Sequence, residues 1–422
     1  MTTPAESPPS SNGFRGPSAE LLRDPEAVYA RLREQAPVTP LRSPDGSLIW
    51  LVTRFEHVRA ILGDPRFANN PTTVPRDQAP QMQVNALRKL GLDDDLIPYL
   101  ADTLLDNDGP AHARLRRLVS REFTVRRVQA LHPRIEQITD ALLDALPGHA
   151  ERGVVDLLPH FAYPLPITVI CELVGVDPAD HGQWLRWSHD LAFNQERMAT
   201  TLRPLVDYCH ALVERRRVEP TDDLLCDLVR SRGDERGDHL TDRELVTMVL
   251  SLVVAGHETT ANFIANSVLA LLRHPDQLTI LRDDPALVPQ AVQELLRWCT
   301  PVLVSRIRYV TEDVDLGDGV RFTAGDAVMP VLCSANHDPR EFPGADCLDL
   351  RRQPKHRSRP HVSFGGGLHH CLGAALAQHE AEIALARLLV RYPRLGFAIP
   401  ASELRWLPMS GMRKLERLPV TL

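Results

Sequence analysis

Phe364-Gly365-Gly366-Gly367-Leu368-His369-His370-Cys371-Leu372-Gly373 is the stretch from which the rest of the chain can be read. Its glycine run permits positive φ and lets a flat ligand approach the backbone closely. Backbone N–H groups in such a turn can point at one sulfur. A final helix is expected to begin near Cys371 and to run to about Tyr392, and its N-terminus adds positive potential at the same place. Both effects favour the thiolate, the form of cysteine that binds a metal. Six other cysteines occur: Cys171, Cys209, Cys226, Cys299, Cys333 and Cys347. Each is read as an ordinary thiol, the usual fate of a lone cysteine. The total of seven is odd, the spacings are wide and no CxxC pair is present. Neither a disulfide framework nor a zinc site is expected, and a reducing compartment fits.

Working outward, Thr241-Asp242-Arg243-Glu244 has the spacing of a capping box. It should open a long helix through about Arg273, stopped before Pro275. Within it stands Ala255-Gly256-His257-Glu258-Thr259-Thr260. An acid beside a hydroxyl residue in an otherwise apolar helix is costly to bury without a partner or a purpose. Gly256 lowers helix propensity, and threonine hydroxyls can bond back to preceding carbonyls, so the helix is expected to open locally here. A second helix, Pro285 to Trp298, carries Glu294 and Arg297 three residues apart; such pairs are ordinarily solvated and weak. In Asp108-Gly109-Pro110-Ala111-His112-Ala113-Arg114-Leu115-Arg116, proline suits a first helical turn. His112 and Arg116, four apart, share a helix face and can reach one anion. Arg308 and Arg306 alternate on an expected strand and would face the same side.

Elsewhere, residues 24–36 read as a helix, followed by two strands around Ser43-Pro44-Asp45-Gly46. Thr53-Arg54-Phe55-Glu56 reads as another capping box. Residues 66–100 read as a long irregular loop, and Pro110 to about Arg217 as several helices. Residues 218–240 read as an exposed connection, 303–310 and 320–331 as short strands, and 336–367 as mostly loop. Helices dominate, with a minor β part. The 422 residues, 43% apolar, suit two or three ordinary domains or one large enzyme built around a cofactor. Net charge is −7, and no stretch reads as a nucleic-acid-binding tail. Residues 1–16 read as a disordered tail with no signal-peptide pattern, leaving 17–422 as a single domain. No apolar run reaches 18 residues, because the candidate starting at Leu245 is interrupted at His257, so no membrane span is expected.

The cysteine stretch resembles the haem-binding loop of cytochromes P-450, F-G-x-G-x-H-x-C-x-G, at every fixed position. The resemblance extends through the acid–alcohol helix, E-x-x-R, D-x-P-x-H-x-x-x-R and Asn336-His337-Asp338-Pro339 to nearly the whole chain. It implies the cytochrome P-450 fold, a single large domain enclosing haem b between a long central helix and the cysteine loop. Cys371 would ligate the iron, with Phe364, Gly365, Gly367 and Gly373 shaping the loop. Thiolate ligation favours O–O cleavage. His369, His112, Arg116 and Arg308 would meet the haem propionates. His370 falls at a variable position; histidine ligation is the runner-up chemistry that the pattern weighs against. Glu258 would relay protons and Thr259 would hydrogen-bond the peroxo intermediate, in a locally opened helix with room for O2 and water. His257 stays unassigned. Glu294, Arg297 and a third partner, Arg352, would form a structural network.

The implied function is insertion of one oxygen atom from O2, by hydroxylation or epoxidation, into a hydrophobic small molecule. The chain resembles the branch that tailors macrolides and polyketides. Ser251, Val254, Ala255, Val304 and Met409 would line the substrate pocket, with residues 70–100 as part of its lid. The resemblance leaves no room for a fused reductase. Electrons would come from NAD(P)H through a ferredoxin reductase and a ferredoxin, docked on Arg114, Arg117, Arg121, Lys355, Arg357 and Arg359. A cytoplasmic monomer is expected, with neither nucleic acid nor membrane as partner. The alternatives are oxidative coupling or a peroxide-driven reaction at the same site, and a helical binding protein without catalysis. The intact Glu258–Thr259 pair favours O2 chemistry.

Overall fold

Helices in this chain pack around one of their number. The computed structural model describes residues 14–15, 19–43, 46–74, 82–230, 239–353, 361–409 and 411–422. The helices that build the site are α1 (Pro25–Gln35), α2 (Phe55–Gly63), α3 (Gly109–Ser120), α4 (His132–Ala145), α5 (Pro164–Val174), α6 (His181–Phe193), α7 (Gln195–Val218), α8 (Asp242–Arg273), α9 (Val288–Trp298) and α10 (Ala374–Arg391). The 32-residue α8 is the axis: α5, α6, α7 and α10 all pack on it. Its length and apolarity would also suit a membrane span, yet 67% of its most apolar window is buried inside the protein.

α8 starts where its capping box predicts. Glu244 N donates to Thr241 Oγ1 at 3.3 Å, and Thr241 N donates back to Glu244 Oε2 at 2.8 Å. The expected box at Thr53 does not form. Thr53 Oγ1 donates to Ala36 O instead, and the first amide of α2, Phe55 N, donates to Asp338 Oδ2 at 2.9 Å. A carboxylate 283 residues away therefore caps α2.

The sheet runs β1 (Phe14–Arg15), β2 (Val38–Arg42), β3 (Leu48–Val52), β6 (Ala327–Pro330), β5 (Arg308–Val310), β4 (Phe67–Ala68) in spatial order. β2 and β3 form the expected hairpin, Val38 opposite Val52. Phe14–Arg15 pair in parallel with Leu41–Arg42, inside the stretch expected to be a disordered tail. The expected strand 303–310 is shorter than its sequence pattern, beginning only at Arg308. The expected strand 320–331 is two, Arg321–Phe322 and β6, interrupted by a turn. The 66–100 stretch is not a single loop: it holds β4 and helices at Met82–Lys89 and Pro98–Ala101. Residues 231–238, within the expected exposed connection, lie outside the described residues.

Candidate functional site: a cysteine loop facing a polar helix

The cysteine loop is held in place by backbone packing that only glycine permits. Gly365 and Gly367 have φ of 70° and 63°. A Cβ on Gly367 would stand 2.2 Å from Leu62 O and 3.0 Å from Gly63 Cα, so the loop seats on the end of α2. Cys371 N donates to Phe364 O at 2.9 Å, closing the turn just before α10. A Cβ on Gly373, by contrast, meets nothing within 4 Å. Cys371 is exposed to solvent-sized space yet closely surrounded by protein. Burial pushes its thiol up, opposed by the Gly373 N–H and the Arg116 charge. Of the other six cysteines, Cys171, Cys209, Cys226 and Cys333 are buried, Cys299 is half-buried and Cys347 is exposed; all are free thiols.

A buried ion pair supports this loop from behind. Arg297 donates to both oxygens of Glu294, at 2.8 and 2.7 Å, and to the carbonyls of Asn336 and Ala345, at 2.8 and 2.9 Å. Arg352 Nε joins Glu294 at 3.0 Å, so the three are together. The Asn336 side chain then reaches the loop. It accepts from Val362 N at 2.9 Å and donates to Ser363 Oγ at 2.8 Å, while Gly365 N donates to Val362 O. Pair, asparagine and cysteine loop form one chain of contacts.

His369, His112, Arg116 and Arg308 converge at the edge of the site. His369 Nε2 bonds Asp108 Oδ1 at 2.9 Å, and its ring lies 4.4 Å from that of His112. Burial, with His369, Arg116 and Arg308 nearby, drives His112 down to about 4. Arg308 donates to Phe67 O at 3.2 Å; burial brings it down to about 10, with Asp108 opposing. Two atoms in this cluster are buried without a partner, Arg308 Nε and His369 Nδ1. Donors collected at this density suit carboxylates. Arg306 does not join them. It lies outside β5 and pairs with Asp106. Asp108, which holds His369, is the member that the spacing argument missed.

α8 presents two faces. Ser251 and Val254 are half-buried and Ala255 is exposed; Thr259 follows on the same face, donating Oγ1 to Ala255 O at 2.7 Å. His257 and Glu258 are buried on the closed side. The helix does not open here: it is continuous α-helix throughout. Gly256 instead makes room for α5, since a Cβ there would lie 3.2 Å from Ile170 Cγ1. Glu258 Oε2 faces Lys414 Nζ at 3.3 Å and is joined by Asn262, neither of which the sequence singled out. Val304 and Met409 are half-buried, Val304 against the core of the sheet.

Against the cysteine loop lies a cavity of about 620 Å³, lined by Arg59, Arg116, Phe123, Gln293, His361 and the loop itself, Cys371 included. Of the arginines expected to form a docking patch, Arg114 pairs with Glu244 and donates to His239 O, tying α3 to α8. Arg121 is exposed. Lys355, Arg357 and Arg359 lie outside the described residues, as does Ser410 beside Met409.

The donor set fits a haem: one sulfur beside a helix start, a cationic cluster with unpartnered donors, and a helix carrying small residues on its open face. Known proteins agree. The Cytochrome P450 family profile matches residues 184–284 and 281–394. Cytochrome P450 107B1 of Saccharopolyspora erythraea is 44% identical over 402 residues, 95% of each chain. From the same organism, 6-deoxyerythronolide B hydroxylase is 41% identical over 94% of this chain and 95% of its own. Among solved structures, the Bacillus subtilis 168 bacillaene polyketide synthase cytochrome P450 PksS superposes with a TM-score of 0.85 at 34% identity, over 96% of this chain and 98% of that one. With the cysteine loop, the buried Glu294–Arg297 pair and the acid–alcohol helix in the arrangement described, the chain belongs to the cytochrome P450 family.

Proposed function

We propose that this cytochrome P450 monooxygenase binds haem b through Cys371 and inserts one oxygen atom from O2 into a macrolide, polyketide or related hydrophobic metabolite, by hydroxylation or epoxidation. The observation that carries the reading is Cys371 itself, a thiol accessible within a glycine turn; burial pushes it up, and the Gly373 N–H and the Arg116 charge act against that rise. Haem, when bound there, supplies the activation of dioxygen. The protein's share is positioning. His112, Arg116, His369 and Arg308 hold the propionates, and the unpartnered donors of His369 and Arg308 support that role. Thr259 offers a hydroxyl on the open face of α8, and Glu258 is the acid that supplies protons behind it.

The substrate class is supported by relatives named as a 6-deoxyerythronolide B hydroxylase and as the cytochrome P450 of a bacillaene polyketide synthase. Ser251, Val254, Ala255, Val304 and Met409 form the pocket, mostly small or apolar, as such ligands require. Electrons reach the site from NAD(P)H through a ferredoxin reductase and a ferredoxin. The latter docks over the concavity that Arg59 lines beside the cysteine loop. Residues 17–422 act as one domain, in a cytoplasmic monomer.

The test is the absorption spectrum of the reduced, CO-bound protein. A red-shifted Soret band is expected, and Cys371→Ala should lose it. The same ligation spectrum with and without the cysteine would end the proposal. Spin-shift titration against a panel of macrolides and polyketides then tests the substrate class; no response across the panel would remove it.

A further inference from the structure

Lysine is scarce in this chain, at positions 89, 355 and 414 alone. Lys414 is 4% exposed. Long cationic side chains are almost never buried to this degree unless paired. Its backbone is pinned on several sides. Leu407 N donates to Lys414 O at 2.9 Å, Arg413 N to Pro301 O at 2.8 Å, and Leu303 N to Gly411 O at 3.0 Å. The segment thus aims the ammonium inward, where Nζ stands 3.3 Å from Glu258 Oε2 and 4.9 Å from the centroid of the Tyr163 ring.

Three elements enclose this pair. Tyr163, at the start of α5, donates Oη to Asn262 Oδ1 at 3.4 Å. Asn262 Nδ2 donates to Glu258 O at 2.7 Å and reaches Oε2 at 3.5 Å. His189 of α6 feels the Lys414 charge, as does His257 of α8, which burial drives down to about 3 and leaves neutral. Glu258 Oε1 is buried without a partner. Burial pushes the Glu258 carboxyl up, and the charge and hydrogen bond of Lys414 are the leading effects against it.

We propose that Lys414 is a positioning residue for oxygen activation, fixing Glu258 as a carboxylate on the closed side of α8 with Oε1 left able to take up a proton. The inference rests on the reading of Glu258 as the acid that relays protons. An apolar neighbour at 414 would remove the two leading effects against burial, leaving only the hydrogen bonds of Tyr163 and Asn262, and the Glu258 carboxyl would move further up. A neighbouring cation moves a carboxyl by about 1–3 pH units, and that is the shift at stake.

The experiment titrates the haem-loaded full chain by infrared difference spectroscopy, reading the C=O stretch of a protonated carboxyl and subtracting Glu258→Gln. In Lys414→Met the Glu258 midpoint should rise by about 1–3 pH units, and the acid limb of the product-formation profile should move with it. Lys414→Arg should keep the wild-type midpoint. Lys414→Gln, which retains length and hydrogen bonding, serves if the methionine variant fails to fold. An unmoved midpoint in the methionine or glutamine variant overturns the proposal. If the CO-bound spectrum lacks the thiolate band while the midpoint still shifts, the haem reading fails and the Lys414–Glu258 coupling stands.

Discussion

Arg297→Leu should do two separable things. Both members of the Arg297–Glu294 pair are almost fully buried, at 2% and 3% side-chain exposure. The substitution removes four hydrogen bonds of 2.9 Å or shorter: two to the carboxylate, one each to Asn336 O and Ala345 O. It leaves Glu294 with Arg352 Nε and the Asp349 amide as partners. Breaking a buried pair by deleting one member costs about 3–5 kcal/mol, because the remaining charge stays in the interior. Against a total stability of about 5–15 kcal/mol, that is a large share. The measurement is equilibrium urea unfolding followed by tryptophan fluorescence, with Glu294→Leu and the double variant completing a cycle. The double variant should cost clearly less than the two singles summed, since it strands neither member of the pair and leaves Arg352 its carbonyl partners Pro343, Gly344 and Cys347. The second effect is local. Without Arg297 the Asn336 carbonyl loses its donor, and Asn336 holds the cysteine loop through Val362 and Ser363. Haem retention should therefore fall in variants that are still folded. A stability loss below about 1 kcal/mol would refute the energetic argument, and full haem retention in the folded variant would refute the link through Asn336.

Gly367→Ala must place a methyl group against Leu62 O at positive φ; a loss of at least about 1–3 kcal/mol is expected from thermal or urea unfolding, whereas Gly373→Ala, which meets no neighbour, should stay within about 1 kcal/mol of the parent. Thr259→Ala removes the hydroxyl bonded to Ala255 O and should raise hydrogen peroxide released per NADPH consumed while substrate binding is retained; unchanged coupling would count against a role in proton delivery. His257 and His361 are both driven by burial from the ordinary 6.5 to about 3. The unfolded chain then binds more protons than the folded one across that window, so stability is full above about pH 6.5 and falls as the pH drops towards 3. The slope is about 1.4 kcal/mol per pH unit for each histidine, and His361→Phe should remove one such contribution from a pH series of unfolding curves.

Much of the site was legible because its residues sit at short, fixed spacings. The cysteine loop, His112 with Arg116, and Glu294 with Arg297 each lie within one turn or one helix. What the sequence did not disclose depends on distant partners. Asp338 caps α2 across 283 residues, so the local pattern at Thr53 pointed to the wrong acceptor. Gly256 looked like a helix breaker, and its reason is Ile170 on α5. Arg306 shared a strand periodicity with Arg308, but the strand begins at Arg308 and Asp106 claims the other guanidinium. Lys414 lies 156 residues from Glu258, and no local pattern linked the two.

The distribution of thiols has a practical consequence. Four of the seven are buried, Cys299 is half-covered, and Cys347 and Cys371 are open. With Cys371 bound to iron, a maleimide dye would react mainly at Cys347. That residue's carbonyl accepts from Arg352 at 3.0 Å, so the native enzyme carries a nearly unique labelling handle next to its central ion-pair network. A fluorophore there could follow the release of that network in real time, without adding or removing a single cysteine.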